Sequence, residues 1–303
     1  YLAVSNIDKP IGKIIYTQFL NSRGGIEADL TISRTGEEEF YIVTGSAFGV
    51  HDRSWIEKHS PRDGSVVIDD LTEEFGVINL CGPHARDVLQ NVIDDDISNE
   101  TLPFSSYADI RVAGHPVRAM RIGYVGELGW EMHMGRENMP AVYRALSEAG
   151  SKYDIADAGY RAIDSLRMEK GYLYWSSDIS PDYNPFEAGL GFRVNMKKGD
   201  FIGRDALIAI RENGGPERKI AYFTLEKYMP VYGSEPIMRE GRILDVTTSA
   251  NFSYTIGKPL VFGYLPVQEF ENRNFTVEAF GEVVPATRHD GPLYDPEMKK
   301  LKL

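Results

Sequence analysis

What this chain is short of narrows its function before any motif is read. It has one cysteine, Cys81, so no disulfide can form within it and nothing points to an oxidising compartment. The apolar neighbours of that cysteine in VINLCGP predict a buried, inert thiol. No uninterrupted run of about 18 apolar residues occurs, so a transmembrane helix is not supported. Basic residues are in deficit: 33 Lys and Arg stand against 45 Asp and Glu, a formal net charge of −12. That balance argues against a nucleic-acid binder, which presents a basic face to phosphates. It leaves room for a small anionic ligand held by a few local arginines. The 6 histidines are scattered, with no H-x-x-x-H pair and no metal spacing to Cys81, so no metal site is expected. A G-x-S-x-G elbow is missing too, and a nucleophilic triad has no local support. No charged stretch precedes an apolar one at Tyr1, so no signal peptide is visible. The opening YLAVSNIDKPIG reads as the tail of an element followed by a loop, which leads one to expect a segment N-terminal to it.

What is present is ordinary globular material, 42% hydrophobic over 303 residues, long enough for two or three domains. Lys13–Leu20 and Ile26–Arg34 read as a hairpin around the turn Asn21-Ser22-Arg23-Gly24-Gly25. In the second strand Ile26, Ala28, Leu30 and Ile32 point one way, and Glu27, Asp29, Thr31 and Ser33 the other. Phe40–Thr44 continues the meander, His51–Lys58 is helical, and Val66–Asp69 and Gly76–Leu80 are short strands. Pro83 sits near the first turn of a helix over His84–Val92. Ile110–Val112 and Val117–Ile122 form a second hairpin about Gly114-His115-Pro116. Helices follow over Pro140–Ala149, closed by Gly150, and over Tyr160–Gly171. Asn184–Gly189 is a loop or a short helix start. The polar stretch Arg211–Glu217, with its paired glycines, is the expected domain boundary. Beyond it the pattern is almost all strand, as in a small β-barrel or sandwich.

Three constellations carry possible chemistry. Asp29, four residues past Gly25, is either a solvated carboxylate on an outer strand or one aimed into a pocket; aspartate is depleted in strands, so its place invites a reason. The run GYVGELGWEMHM has glycines spaced G-x-x-G-x-x-G and ends in strand-like alternation, which argues against a dinucleotide fingerprint. It is a tight turn that still lets a ligand approach the backbone, and Glu131 could accept hydrogen bonds from a heterocycle's N–H and NH₂ groups. On the Tyr160 helix, Asp164 and Arg167 are either a surface ion pair at i,i+3 or leave a guanidinium open for a ligand carboxylate.

Taken in order, LNSRGGIEADLTISR, GYVGELGWEM, AGYRAIDSLRMEKGYLYWSSDI, NPFEAGL, FIGRDAL and TTSANFSYTIGKPLVFGYLP resemble the glycine cleavage T-protein, or aminomethyltransferase, family. The match is nearest to the folate-binding C-terminal half of dimethylglycine and sarcosine dehydrogenases. The resemblance implies an α+β fold of several subdomains, a cloverleaf around a channel holding tetrahydrofolate, with a small C-terminal β-barrel. It divides the chain into a folate-binding core over 1–213, of two interleaved subdomains with its N-terminal part missing, and a barrel over 214–303. It makes Asp29 the catalytic carboxylate, with the glycines of the hairpin giving folate room. It gives Glu131, with Tyr124 beside it, to the pterin, and Arg167 and Arg288 to the folate tail. Val125 departs from the family's G-Y-T-G-E, so a hydroxyl is lost there. The implied reaction transfers a one-carbon unit from a small amine-derived donor, an iminium or formaldehyde equivalent, to give 5,10-methylenetetrahydrofolate. A flavin-dependent demethylating domain or subunit is the implied partner, in the mitochondrial matrix of a eukaryote or the cytoplasm of a bacterium. Two alternatives stay open on the same fold: a regulatory interaction module, and a folate-dependent O- or S-demethylase.

Overall fold

The computed structural model describes residues 1–303. Three strands come first, β1 (Ile14–Leu20), β2 (Ile26–Arg34) and β3 (Phe40–Val43), paired in the order β1-β2-β3. Helix α1 (Gly49–His59) and strand β4 (Phe75–Cys81) follow, then α2 (Ala85–Gln90). Strands β5 (Tyr107–Val112), β6 (His115–Met120) and β7 (Gly129–Gly135) lead to helices α3 (Met139–Gly150), α4 (Tyr160–Glu169) and α5 (Arg204–Glu212). The rest is strand: β8 (Arg218–Leu225), β9 (Pro236–Arg239), β10 (Arg242–Ser253), β11 (Lys258–Pro266), β12 (Asn274–Ala279) and β13 (Glu282–His289). No helix is long and apolar enough to cross a membrane.

The chain divides into two compact units: 1–6, 17–29 and 160–296 make one, and 7–16, 30–159 and 297–303 the other. In the first unit β8 to β13 close into a barrel in the order β10-β11-β8-β13-β12-β9, the expected α+β arrangement with a C-terminal barrel. Strand alternation fills it. Phe275, Val277 and Ala279 of β12 and Val284 and Ala286 of β13 point inward with Phe223 and Leu225 of β8. The polar stretch 211–217 separates α5 from β8, and both sides of it lie in this unit.

In the second unit a four-stranded antiparallel sheet runs in the order β4-β7-β6-β5. One face is apolar: Ile78 and Leu80, Trp130, Met132 and Met134, Val117 and Ala119, and Ile110 and Val112 form a core with α2 and α3. Helix α3 supplies Val142, Leu146 and Gly150, spaced by four so that they share its inner face. Gly150 is therefore part of the helix and not its stop.

Two expectations fail, each for its own reason. Cys81 is exposed, because Ile78 and Leu80 take β4's core phase and turn Cys81 away. Its thiol is nonetheless held above the ordinary value by burial of the sulfur and by the nearby Glu127 carboxylate, which keeps it poorly nucleophilic. Residues 66–69 are no strand: Val66 and Val67 are exposed and nothing pairs with them, and an unpaired apolar pair has no sheet to join. The second hairpin turns on Ala113-Gly114, since His115 already pairs with Val112.

Candidate functional site

The polar face of the β4-β7-β6-β5 sheet is where the sequence-predicted Glu131 lies. Because Trp130, Met132 and Met134 take the core, Glu131 and His133 are forced onto the opposite face of β7. Across the ladder Glu131 is flanked by Asn79 and Met120, and His133 by Val77 and Arg118. The Glu131 side chain is 22% exposed and His133 only 3%, with Glu131 Oε2 3.6 Å from His133 Nε2. No donor in the protein reaches hydrogen-bond distance of the Glu131 carboxylate. Tyr41 of β3 covers the histidine edge-on, its hydroxyl 3.0 Å from Nδ1. Burial raises the Tyr41 phenol above its ordinary pKa, against the pull of Arg118. The Arg118 guanidinium lies over the rings of Tyr41 and Tyr107 and donates two hydrogen bonds to Asp109, at 2.8 and 3.0 Å. The face therefore offers one half-buried carboxylate whose acceptors are unmatched, backed by an ordered aromatic and cationic layer.

The glycine-rich turn leads into that strand. Val125 and Leu128 are buried and anchor it, while Tyr124 is half-buried within it. Gly129 pairs with Cys81, and a Cβ there would come 2.4 Å from the Leu80 carbonyl oxygen. The glycine is thus required by strand pairing, two residues before Glu131 on β7.

Asp29 belongs to the first unit. It is half-buried on β2 and accepts a hydrogen bond from Gln18 Nε2 of β1 at 2.8 Å. It is no solvated carboxylate of an outer strand. Gln18 is fully buried and its Oε1 has no partner. The carboxylate decides that orientation, since the reverse would set two oxygens face to face, and the orphaned Oε1 carries a cost of about 1–3 kcal/mol. The arrangement accepts this cost while fixing the Asp29 carboxylate from β1. Glu27, the other carboxylate of that face, accepts from Asn21 Nδ2 at 3.1 Å and so ties the strand to its own turn.

The double glycine has a different neighbour from the one expected. A Cβ on Gly25 would lie 1.9 Å from the Pro181 carbonyl oxygen. That space is filled by backbone, not kept for a ligand. Gly25→Ala should therefore lower stability by about 1–3 kcal/mol as the hairpin is pushed off the 181 loop. Thermal unfolding checks this; an unchanged midpoint would mean that the loop yields freely.

Arg167 and Arg288 sit in two separate networks of the first unit. Arg167 is 3% exposed. It donates to Asp164 at 2.9 Å, Asp178 at 2.6 Å, the Tyr172 carbonyl at 3.1 Å and Ser249 Oγ at 2.9 Å. Its pair with Asp164 is accordingly no surface pair, and its guanidinium is not left open for a ligand carboxylate. Asp178 is fully buried and also accepts from Thr248 Oγ1 and the Tyr174 N–H. Arg288 shares the inward phase of Val284 and Ala286 on β13 and is 2% exposed. Its guanidinium packs on Phe270 and donates to the Asn272 and His289 carbonyls and to Asp290. Reading the sequence alone missed Gln18, Tyr41, His133 and Asp178. Only Gln18 left a trace, as an amide inside the apolar run IIYTQFL.

Comparison with known proteins agrees with this architecture. The model of the GCVT N-terminal domain matches residues 1–198, and that of the glycine cleavage T-protein C-terminal barrel domain matches 218–295. The mitochondrial sarcosine dehydrogenase of Mus musculus is 37% identical over 325 aligned residues, covering 100% of this chain and 35% of the relative. The chain thus spans about a third of the length of that dehydrogenase. An aminomethyltransferase of Symbiobacterium thermophilum is 32% identical, over 85% of this chain and 69% of its own. The crystal structure of the glycine cleavage system aminomethyltransferase T from Bartonella henselae superimposes with a TM-score of 0.84 at 24% identity, covering 98% of this chain and 80% of that one. With both of the family's domains matched in order on a closed barrel and its preceding sheets, the chain belongs to the glycine cleavage T-protein, or aminomethyltransferase, family.

Proposed function

We propose that this chain is a tetrahydrofolate-dependent one-carbon transferase whose product is 5,10-methylenetetrahydrofolate. The observation that carries the reading is the Glu131 carboxylate, half-buried and without a hydrogen-bond donor of its own. Such a group is costly to leave unmatched. Its chemistry suits a pterin ring, which presents an N–H and an NH₂ side by side. Tetrahydrofolate, when bound, supplies the nucleophilic nitrogens that take up the one-carbon unit. Glu131 binds and orients the ring, and Tyr124 adds a half-buried ring in the turn beside it. Asp29, held by Gln18, stabilises developing positive charge and moves protons at the reacting nitrogens. A half-buried carboxylate does this better than an exposed one, because the lower dielectric strengthens its field. Arg167 and Arg288 serve by what they hold: Arg167 ties α4 to β10 through Ser249, and Arg288 ties β13 to the Asn272 carbonyl and Phe270.

The one-carbon donor in this reading is an iminium or formaldehyde equivalent from a small methylated amine. A flavin-dependent demethylating domain or subunit makes it, in keeping with the dehydrogenase relative that is longer than this chain.

Anaerobic calorimetric titration of the chain with tetrahydrofolate tests the proposal. The expected result is binding at about micromolar affinity, weakened about 10- to 100-fold in Glu131→Ala, the size of a lost charged hydrogen-bond pair. A well-folded chain that binds no folate would overturn the proposal and favour an interaction module. Accumulation of 5-methyl- instead of 5,10-methylenetetrahydrofolate would move the reaction to the demethylase class.

A further inference from the structure

We propose that His133 is a positioning residue for Glu131, held by Tyr41 as the Nε2–H tautomer so that its buried N–H fixes the plane of the carboxylate that receives the ligand. The role given to Glu131 rests on the folate reading above; the tautomer does not.

The tautomer follows from what surrounds the ring. Nε2 is buried with no hydrogen-bond partner, and its nearest polar atom is Glu131 Oε2 at 3.6 Å. A bare lone pair there would face a negative oxygen in a water-poor place, so Nε2 carries the hydrogen. The cross-strand neighbour of His133 on β6 is Arg118, whose guanidinium lies over the Tyr41 ring. On β4 the neighbour is the uncharged Val77. In the Nε2–H tautomer Nδ1 accepts, and the Tyr41 hydroxyl, 3.0 Å away, donates to it. Tyr41 thus grips His133 at Nδ1, and Nε2 stands 3.6 Å from Glu131 Oε2, just beyond a hydrogen bond.

The consequence lies in a soft torsion. The terminal torsion of a glutamate is broad, so a lone carboxylate samples many planes. Recognition of adjacent N–H and NH₂ groups needs both oxygens in the plane of the heterocycle. An N–H 3.6 Å from Oε2, on a buried ring gripped at its other nitrogen, would restrict that freedom and leave Oε1 and the outer lone pairs for the ligand. On this proposal the 3.6 Å separation should shorten when the carboxylate engages a ligand, as site hydrogen bonds do. This is the logic by which an outer partner fixes the tautomer of a working histidine.

The experiment has two arms. Long-range ¹H–¹⁵N spectra of the imidazoles in the full chain, with His133 assigned by its loss in His133→Gln, should show the Nε2–H pattern. Tyr41→Phe should blur that preference. An Nδ1–H pattern at His133 in the unsubstituted chain overturns the proposal whatever the folate result. In the second arm, tetrahydrofolate titrations should show about tenfold weaker binding for His133→Leu. His133→Gln, which places an N–H near the former Nε2, should recover to within about threefold. In a Glu131→Ala background, His133→Leu should add nothing, the sign of two groups acting through one contact. Equal losses in the Leu and Gln variants, or full additivity with Glu131→Ala, would make His133 a mere packing residue and overturn the proposal. Absence of folate binding by the unsubstituted chain would instead strike at the folate reading and leave the tautomer arm to decide His133.

Discussion

Asp29→Asn is expected to cut turnover by at least about a hundredfold, the usual worth of a positioned acid–base group. The folate dissociation constant should stay within about threefold. The asparagine is isosteric, so the hydrogen bond from Gln18 Nε2 has an oxygen to meet and the hairpin is undisturbed. What disappears is the negative charge that stabilises a cationic transition state, an interaction stronger there than in the ground state. Steady-state kinetics with a formaldehyde equivalent, paired with calorimetry on the same variant, separates the two quantities. Equal turnover would remove Asp29 from the mechanism. A parallel fall in affinity would make it a binding residue.

The largest stability effect should come from Asp178→Ala. Asp178 is fully buried and meets the Arg167 guanidinium at 2.6 Å, with Thr248 and the Tyr174 N–H on its remaining lone pairs. Removing it leaves Arg167 buried beside Phe262 with only the partly exposed Asp164 as counter-charge. Breaking a buried pair from one side costs about 3–5 kcal/mol, chiefly through the stranded charge. The thermal midpoint should fall by about 10 °C. The double variant Asp178→Leu with Arg167→Met should recover much of the loss, because it strands nothing. A loss in the single variant below about 1 kcal/mol would mean that water reaches Arg167, contrary to its burial.

The sheet-forming segments were legible because their period is local. Alternation in Ile26–Arg34 assigned Ile26, Ala28, Leu30 and Ile32 to the core before any neighbour was known, and these residues are 0 to 3% exposed. The same rule puts Trp130 and Glu131 on opposite faces of β7. The family motifs likewise sit in continuous stretches, so the membership and the candidate carboxylates could be read from the sequence alone. Apolar neighbours alone were a poor guide to phase, and so Cys81 in VINLCGP was read as buried although Ile78 and Leu80 hold the core phase of the strand. Val66 and Val67 misled in the opposite sense, for a strand is made by a partner and they have none.

By itself, then, the sequence determined the family, the alternation of Ile26–Arg34 and the C-terminal barrel, all of which depend on residues close together in the chain. The tertiary structure alone decided which partners each charge meets. Asp178 is 11 residues from Arg167 and Ser249 is 82, and no local pattern announces that they close around one guanidinium. Tyr41 is 92 residues from His133, Gln18 aims Asp29 from a neighbouring strand, and the Pro181 carbonyl takes the space beside Gly25. Hydrogen bonds and ion pairs act over about 3 Å, so their partners are chosen by where the fold brings strands together, and that is information no single segment holds.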